Sequence, residues 1–333
     1  EIEWVFNMKL LLTSIGRRVE LVQAFRNAAE RLNEDLHVVG ADMSLTAPAL
    51  YFCDEAVRVS RIHDKNYIPQ LVDICKERKI DCLIPTIDTE LLILAQSKSK
   101  FEAVGTRVLV SDVERIALCR DKRKTADYFK QIGLNTPVPV DKVADYADGF
   151  PAFIKPLDGS SSINAYKVQN KADLAAYANL IPDYIIQPFI SGREFTIDIF
   201  CDFTGNPIFI TPRERLAVRS GEVLKTKIYQ NKVIIDEMKH LVKDFKPCGQ
   251  ITVQLIHDDI SQKNYYIEIN PRFGGGAPLS MKAGADSAAA LIRLLKGEAL
   301  SYMECAARNG ATYSRFDQSV CIDEGSEGYD RSM

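Results

Sequence analysis

No apolar run in this 333-residue chain approaches the roughly eighteen residues that a membrane-crossing helix needs, so no transmembrane segment is expected. The opening residues, EIEWVFN, are neither basic nor long and apolar enough to read as a secretory signal. Charge of one sign is also lacking. A net charge of −3 gives no general case for a nucleic-acid or membrane-surface partner, although a local basic site stays open. No two of the eight cysteines form C-x-x-C, which argues against a zinc site. They are scattered, mostly in apolar runs where free cysteine behaves as a small buried hydrophobe, and a reducing cytoplasm is the simplest compartment. Histidine is scarce: His37, His63, His240 and His257 are the four, and none stands out as an essential base. No G-x-G-x-x-G follows the first strand, so the dinucleotide fingerprint of an oxidoreductase is absent.

What is present fits a soluble protein of two or three domains, with 46% hydrophobic and 26% charged residues. Residues 1–7 precede Met8, which opens the first good strand, and are read as a leader or an expression remnant. From there to residue 110, short apolar segments (MKLLLT, LHVVGAD, AVRVS, CLIPT, RVLV) alternate with helical patterns at 17–32, 66–79 and 88–100. That alternation predicts a parallel sheet with helices on its faces. TSIGRR, after the first strand, is a tight strand-to-helix turn or, through Arg17 and Arg18, an anion site. Asp42, Asp88 and Glu90 follow strand ends and are placed to face a ligand in the crevice there; Asp88 is equally a helix-cap candidate.

Residues 111–133 read as one basic helix with a Ser/Asp start signal, and the run Arg120 to Lys124 as a solvated face. After the connector NTPVPV, strands dominate. PAFIKP and INAYKV form a hairpin around LDGSSS, a loop whose amides and hydroxyls suit an anion nest. Strands at 183–189, 194–203, 207–217, 222–229, 249–257 and 264–270 predict a largely antiparallel sheet, with helices at 171–179, 232–245 and 280–296. The tail ATYSRFDQSVCI offers one more strand.

The segment YYIEINPRFGGG carries the most chemistry. Alternation along a strand puts Glu268 and Asn270 on one face and Ile269 on the other. ITVQLIH lies across a hairpin connection and brings Gln254 to the same face. Three oxygen-bearing side chains at one sheet end suit a hard cation shared with phosphates; an exposed strand face with incidental polar residues is the plainer alternative. Lys155 and Arg272 add positive charge to the cleft. TPRERLAVRSGEVLKTK, with Arg213, Arg215, Arg219 and Lys225, suits a phosphate or substrate carboxylate, or is an exposed basic hairpin.

IEINPRFGGG with VQLI upstream resembles the metal-binding end of ATP-grasp enzymes, most of all an ATP-grasp unit of the carbamoyl-phosphate synthase large subunit and, more loosely, biotin carboxylase. The resemblance runs from Met8 to about Gly297. It implies a Rossmann-like N-terminal domain over 8–110, an α/β parallel sheet, followed by an α+β ATP-grasp domain over 111–305. Within that domain, 111–190 are the helical entry and small subdomain, 191–305 the large subdomain, and 306–333 a C-terminal tail. It implies ATP and Mg2+, with Mn2+ as the alternative ion. Lys122 and Lys155 match the phosphate-binding bases, and DGSSS, with Ser160 and Ser161, the loop over the phosphates. In IIQPFISGREF, Gln187 stands where the adenine amino group is met. Pro188, Phe189 and Ile190 supply the hinge, and Glu194, seven residues after Gln187, the ribose contact. Gln254, Glu268 and Asn270 match the metal ligands. Arg272 matches the arginine beside the acyl phosphate, and Arg213 and Arg215 stand with the substrate. The implied activity joins a carboxylate, activated as an acyl phosphate, to an amine. A non-catalytic ATP-binding regulator and a carbamoyl-phosphate-type phosphoryl-transfer enzyme are the alternatives. The implied partners are small molecules and, as an open option, a second copy in a homodimer.

Overall fold

The computed structural model describes residues 8–157 and 164–322. The N-terminal region is built from β1 (Met8–Thr13), α1 (Val19–Leu32), β2 (Leu36–Asp42), β3 (Glu55–Arg58), α2 (Tyr67–Arg78), β4 (Cys82–Pro85), α3 (Asp88–Gln96), α4 (Lys98–Glu102) and β5 (Arg107–Val108). All pairings in its five-stranded sheet are parallel, in the order β3-β2-β1-β4-β5. The strands are short and apolar because helices cover both faces. In α1, Leu21, Val22, Phe25, Ala28 and Ala29 form the buried stripe that the 3.6-residue period requires.

The helix expected over 111–133 is two, α5 (Val113–Arg120) and α6 (Lys122–Gln131). Asp121 between them is extended, and its carboxylate accepts from the backbone N–H groups of Arg123 and Lys124, capping the second helix. Residues 280–296 also divide, into α9 (Ala277–Ala283) and α10 (Ser287–Leu295). Gly284 between them has φ +126°, where a Cβ would lie 2.5 Å from the Ala306 carbonyl oxygen. Similarly, 88–100 breaks at Ser97 into α3 and α4.

The small sheet pairs β6 (Ala152–Pro156) with β7 (Tyr166–Val168) and with β8 (Tyr184–Pro188), all antiparallel, beside α7 (Lys171–Leu180). The large sheet contains β9 (Arg193–Cys201), β10 (Pro207–Arg219), β11 (Glu222–Ile228), β12 (Gln250–Asp258), β13 (Lys263–Asn270) and β14 (Thr312–Ser314), in the order β13-β12-β9-β10-β11-β14. The tail strand is thus β14. One face of this sheet is apolar: Ile197, Ile199, Val253, Leu255 and Ile269 pack with Ile235, Met238 and Phe245 of α8 (Lys232–Phe245). A second core cluster crosses from the N-terminal helix α1 to α9 and α10, with Phe25 edge-on to Phe273 at 5.9 Å. No helix among the described residues is long and apolar enough to cross a membrane.

Candidate active site

The other face of the large sheet is polar, and its register lines up the functional side chains. Glu268 lies opposite Gln254, Gln254 opposite Thr196, and Thr196 opposite Arg213, across four strands. One step along, Asn270 opposes Thr252, Thr252 opposes Asp198, and Asp198 opposes Thr211. Directly paired residues share a face. The sheet therefore delivers Glu268, Gln254 and Asn270 to one end of a polar floor, as the alternation of the sequence predicts. Above this floor is a cleft of about 640 Å³. Its walls include Lys122 and Thr125 of α6, Arg213 and Arg215 of β10, and Arg272 with the glycines that follow it. Arg18 and Asp88 of the N-terminal region complete it.

The donor set suits a hard cation only in part-share with phosphate. Glu268 contributes the carboxylate, Gln254 and Asn270 amide oxygens, and the Asn270 amide N–H donates to Glu268 at 2.9 Å. Among the described residues no group of three or more His, Cys, Asp and Glu could hold a metal. One carboxylate and two amides fit Mg2+ that takes its remaining ligands from substrate phosphates and water, and do not fit an all-protein cage. Lys155 is buried. Its ammonium is pushed down to about 8, chiefly by burial and also by the like charge of Lys122, against the opposing pull of Glu268. Lys122, assigned by its run to a solvated face, instead lines the cleft and donates to the Leu157 carbonyl at 3.0 Å.

Arg213 is buried against Asp198, with Nε at 2.7 Å, while the Ser280 hydroxyl donates to the same carboxylate at 2.6 Å. Arg215 donates to the Gly221 carbonyl at 3.0 Å, and its Nε lies 3.5 Å from Glu194. Burial holds its guanidinium below the ordinary value. Arg213 Nη1, Arg215 Nε and Thr252 Oγ1 are buried without a hydrogen-bond partner among the described residues, and all three side chains line the cleft. Two of these three groups are guanidinium nitrogens, a chemistry that suits an anion in the cleft. The glycines after Arg272 serve the guanidinium groups: a Cβ on Gly275 would lie 2.8 Å from Arg18 Nη1, and one on Gly276 2.6 Å from Arg213 Nη2.

Several other expected site residues are engaged by the protein itself or lie away from the cleft. Arg272 is anchored: its Nε and Nη2 both donate to Asp88 Oδ2, at 3.2 and 2.7 Å. Asp88 is thus neither a cap by side-chain bonding nor a free ligand. Glu90, expected to face a ligand, is fully buried and accepts from Thr13, Ser14, Tyr67 and the Thr86 backbone; burial raises its carboxyl. Asp42 spends its carboxylate on the Gly16 and Ser44 backbone. Arg219 is exposed and pairs with Asp317, and Lys225 is exposed; neither lines the cleft. The amide nitrogen of Gln187 donates to the Pro137 carbonyl at 2.8 Å, and the Phe189 N–H to the Pro151 carbonyl at 3.1 Å. Those two donors are committed to the protein, which leaves carbonyl edges and the Ile190 backbone for a base. Lys155, Gln187, Pro188, Phe189, Ile190 and Glu194 lie outside the cleft lining. Ser160 and Ser161 lie outside the described residues. Arg18, Thr252, Asp198 and Glu222 were not singled out by motif. Only the basic turn at Arg17 and Arg18 gave any signal.

Residues 10–109 match the PylC-like N-terminal domain model and residues 119–276 the ATP-grasp domain model. The chain is 26% identical over 183 residues to the 3-methyl-D-ornithine–L-lysine ligase of Methanosarcina barkeri, a match covering 54% of this chain and 46% of that protein. It thus spans about half the length of this curated relative. Among solved structures it superposes on the L-amino acid ligase of Bacillus licheniformis with a TM-score of 0.70 and 20% identity, covering 92% of this chain and 79% of that one. The biotin carboxylase domain of the Hydrogenobacter thermophilus 2-oxoglutarate carboxylase, bound to MgADP, ADP and bicarbonate, gives 0.71 at 18% identity over 93% of this chain and 74% of that one. The ADP complex of Staphylococcus aureus N5-carboxyaminoimidazole synthetase gives 0.71 at 17%, over 89% and 79%. At such identities the superpositions speak for the fold alone; the domain matches show that this chain carries an ATP-grasp domain over residues 119–276, preceded by a PylC-like N-terminal domain.

Proposed function

We propose that this protein is an ATP- and Mg2+-dependent ligase that converts a carboxylate to an acyl phosphate and joins it to an amine. The observation that carries this reading is the register of the polar sheet face. It sets a single-carboxylate cation site, Glu268 with Gln254 and Asn270, on the same floor as the buried, under-bonded Arg213 and Arg215. The relatives are named as two ligases, a biotin carboxylase domain and a synthetase, and the last two were solved with ADP, which supports ATP as the phosphoryl donor here. Mg2+, or Mn2+ in its place, would neutralise phosphate charge when held by Glu268, Gln254 and Asn270.

Phosphoryl transfer demands alignment and charge neutralisation more than acid–base groups. Lys122 and Lys155 bring ammonium groups to the phosphate side. Gln187 to Ile190, beside the cleft lining, would offer backbone edges and the Gln187 amide oxygen to adenine, and Glu194 would meet the ribose. Arg272, fixed by Asp88, and Arg213, fixed by Asp198, hold their guanidinium groups without reorganisation, where charge develops on the transferred group. Arg215 orients the carboxylate beside them. A cytoplasmic setting agrees with eight free cysteines. The test is Glu268→Ala. With a carboxylate–amine panel at saturating Mg2+, ATP-dependent phosphate release should vanish while the circular dichroism spectrum and melting curve stay those of the parent. Release at the parental rate removes the cation-site assignment.

A further inference from the structure

Arg18 belongs to the N-terminal region, yet its guanidinium sits in the cleft against Gly275. Its surroundings hold it loosely. Glu222 Oε1, the acidic oxygen paired with it, is 3.9 Å away, and its hydrogen bond to the Thr86 carbonyl is 3.4 Å long. Glu222 is shared with Arg315, at 3.5 Å. By contrast, the neighbouring Arg272 has two bonds to Asp88 and Arg213 two to Asp198. Burial and the like charge of Arg272 bring the Arg18 guanidinium down to about 10, so it is still a cation at neutral pH. A half-buried cation kept this far from any carboxylate is poorly compensated by the protein itself. Its position is also informative: along the three glycines, a Cβ on Gly274 would lie 3.8 Å from Arg272 Nη1, one on Gly275 2.8 Å from Arg18 Nη1 and one on Gly276 2.6 Å from Arg213 Nη2, so Arg18 shares this shelf with both anchored guanidinium groups.

Resting on the ligase reading above, we propose that the carboxylate substrate carries a second anionic group, a carboxylate or phosphate, which Arg18 binds. The reacting carboxylate lies between Arg272 and Arg215, and the second anion lies toward the start of α1, where Gly275 clears space for the guanidinium. Specificity for a doubly anionic acyl substrate is thus contributed by the N-terminal region. A side chain at residue 275 would push Arg18 off its seat, so Gly275 is a positioning residue for it.

The test uses the full chain and isothermal titration calorimetry with succinate, glutarate and adipate, each against butyrate as the singly charged control. One diacid should bind at least tenfold more tightly than butyrate. Arg18→Ala should lower that affinity at least tenfold and leave butyrate within twofold. Arg18→Lys and Gly275→Ala should fall between, and both guard against a misfolded alanine variant. Loss of diacid and butyrate binding together would make Arg18 a ligand of the reacting carboxylate and overturn the proposal. So would unchanged diacid affinity in Arg18→Ala, or no preference for any diacid in the parent. MgATP binding, measured on the same samples, separates this result from the ligase reading, which fails if MgATP does not bind.

Discussion

Asp198 offers a decisive perturbation because its carboxylate answers for several buried groups at once. It accepts from Arg213 Nε and Nη2 and from the Ser280 hydroxyl, and the Arg213 and Asp198 side chains are only 3% and 4% exposed. Asp198→Ala strands a guanidinium that already has one unpartnered nitrogen, and breaking a buried pair in this way costs about 3–5 kcal/mol. At a urea dependence of roughly 3 kcal/mol per M, the midpoint should fall by more than about 1 M. The double replacement Asp198→Leu with Arg213→Met removes both charges and should regain most of that stability, because an apolar pair of similar volume avoids desolvation altogether. It should nonetheless lose turnover, since the guanidinium proposed to face the transferred group is gone. Equilibrium urea unfolding by tryptophan-independent far-ultraviolet dichroism, paired with phosphate release, measures both. A loss below about 1 kcal/mol in Asp198→Ala, or a double variant that retains turnover, refutes the view that this pair is kept for its ligand.

Two further expectations concern Lys155 and Arg272. Lys155 has its folded pKa depressed to about 8 from 10.5. The unfolded chain therefore binds more protons between those values, and this group's contribution to stability rises with pH across that window. ATP affinity should move the opposite way, weakening above pH 8 as the ammonium is lost; Lys155→Arg should flatten the affinity profile, and an unchanged slope in that variant excludes Lys155 as its source. Arg272→Lys cannot reproduce the two bonds to Asp88, and turnover should drop on the order of 10² to 10³ with little change in ATP affinity. Full turnover in this variant would make Arg272 a structural bridge only.

Much of the fold was legible because its strands are short, apolar and punctuated. The period-2 pattern of YYIEIN placed Glu268 and Asn270 on one face, and the pairing of Gln254 with Glu268 followed from the hairpin. Helix breaks were harder. The apolar period continues through Asp121 and Gly284, and only a capping carboxylate and a close approach to Ala306 end those helices. Least legible were the pairings over long sequence distance. Asp88 and Arg272 are 184 residues apart, and Asp198 and Ser280 82. Arg272 lies in a motif but its partner does not, and no local spacing encodes a contact that only the packed sheets create.

The edge-on contact of Phe25 with Phe273 joins two regions that the sequence separates by most of its length. Phe273 sits one residue beyond Arg272 and two before Gly275, so the same short segment is both the wall of the cleft and a plug in the core shared with α1. The lining of the cleft and the seam between the two regions are therefore built from one segment. A chimera that exchanges the N-terminal region would bring its own residue at the position of Arg18, and also its own surface against Phe273. Any shift of that surface moves the glycine shelf on which the arginines rest. A change on either side of this seam is thus felt on the other, while Glu268 lies on the separate β12–β13 pairing of the large sheet.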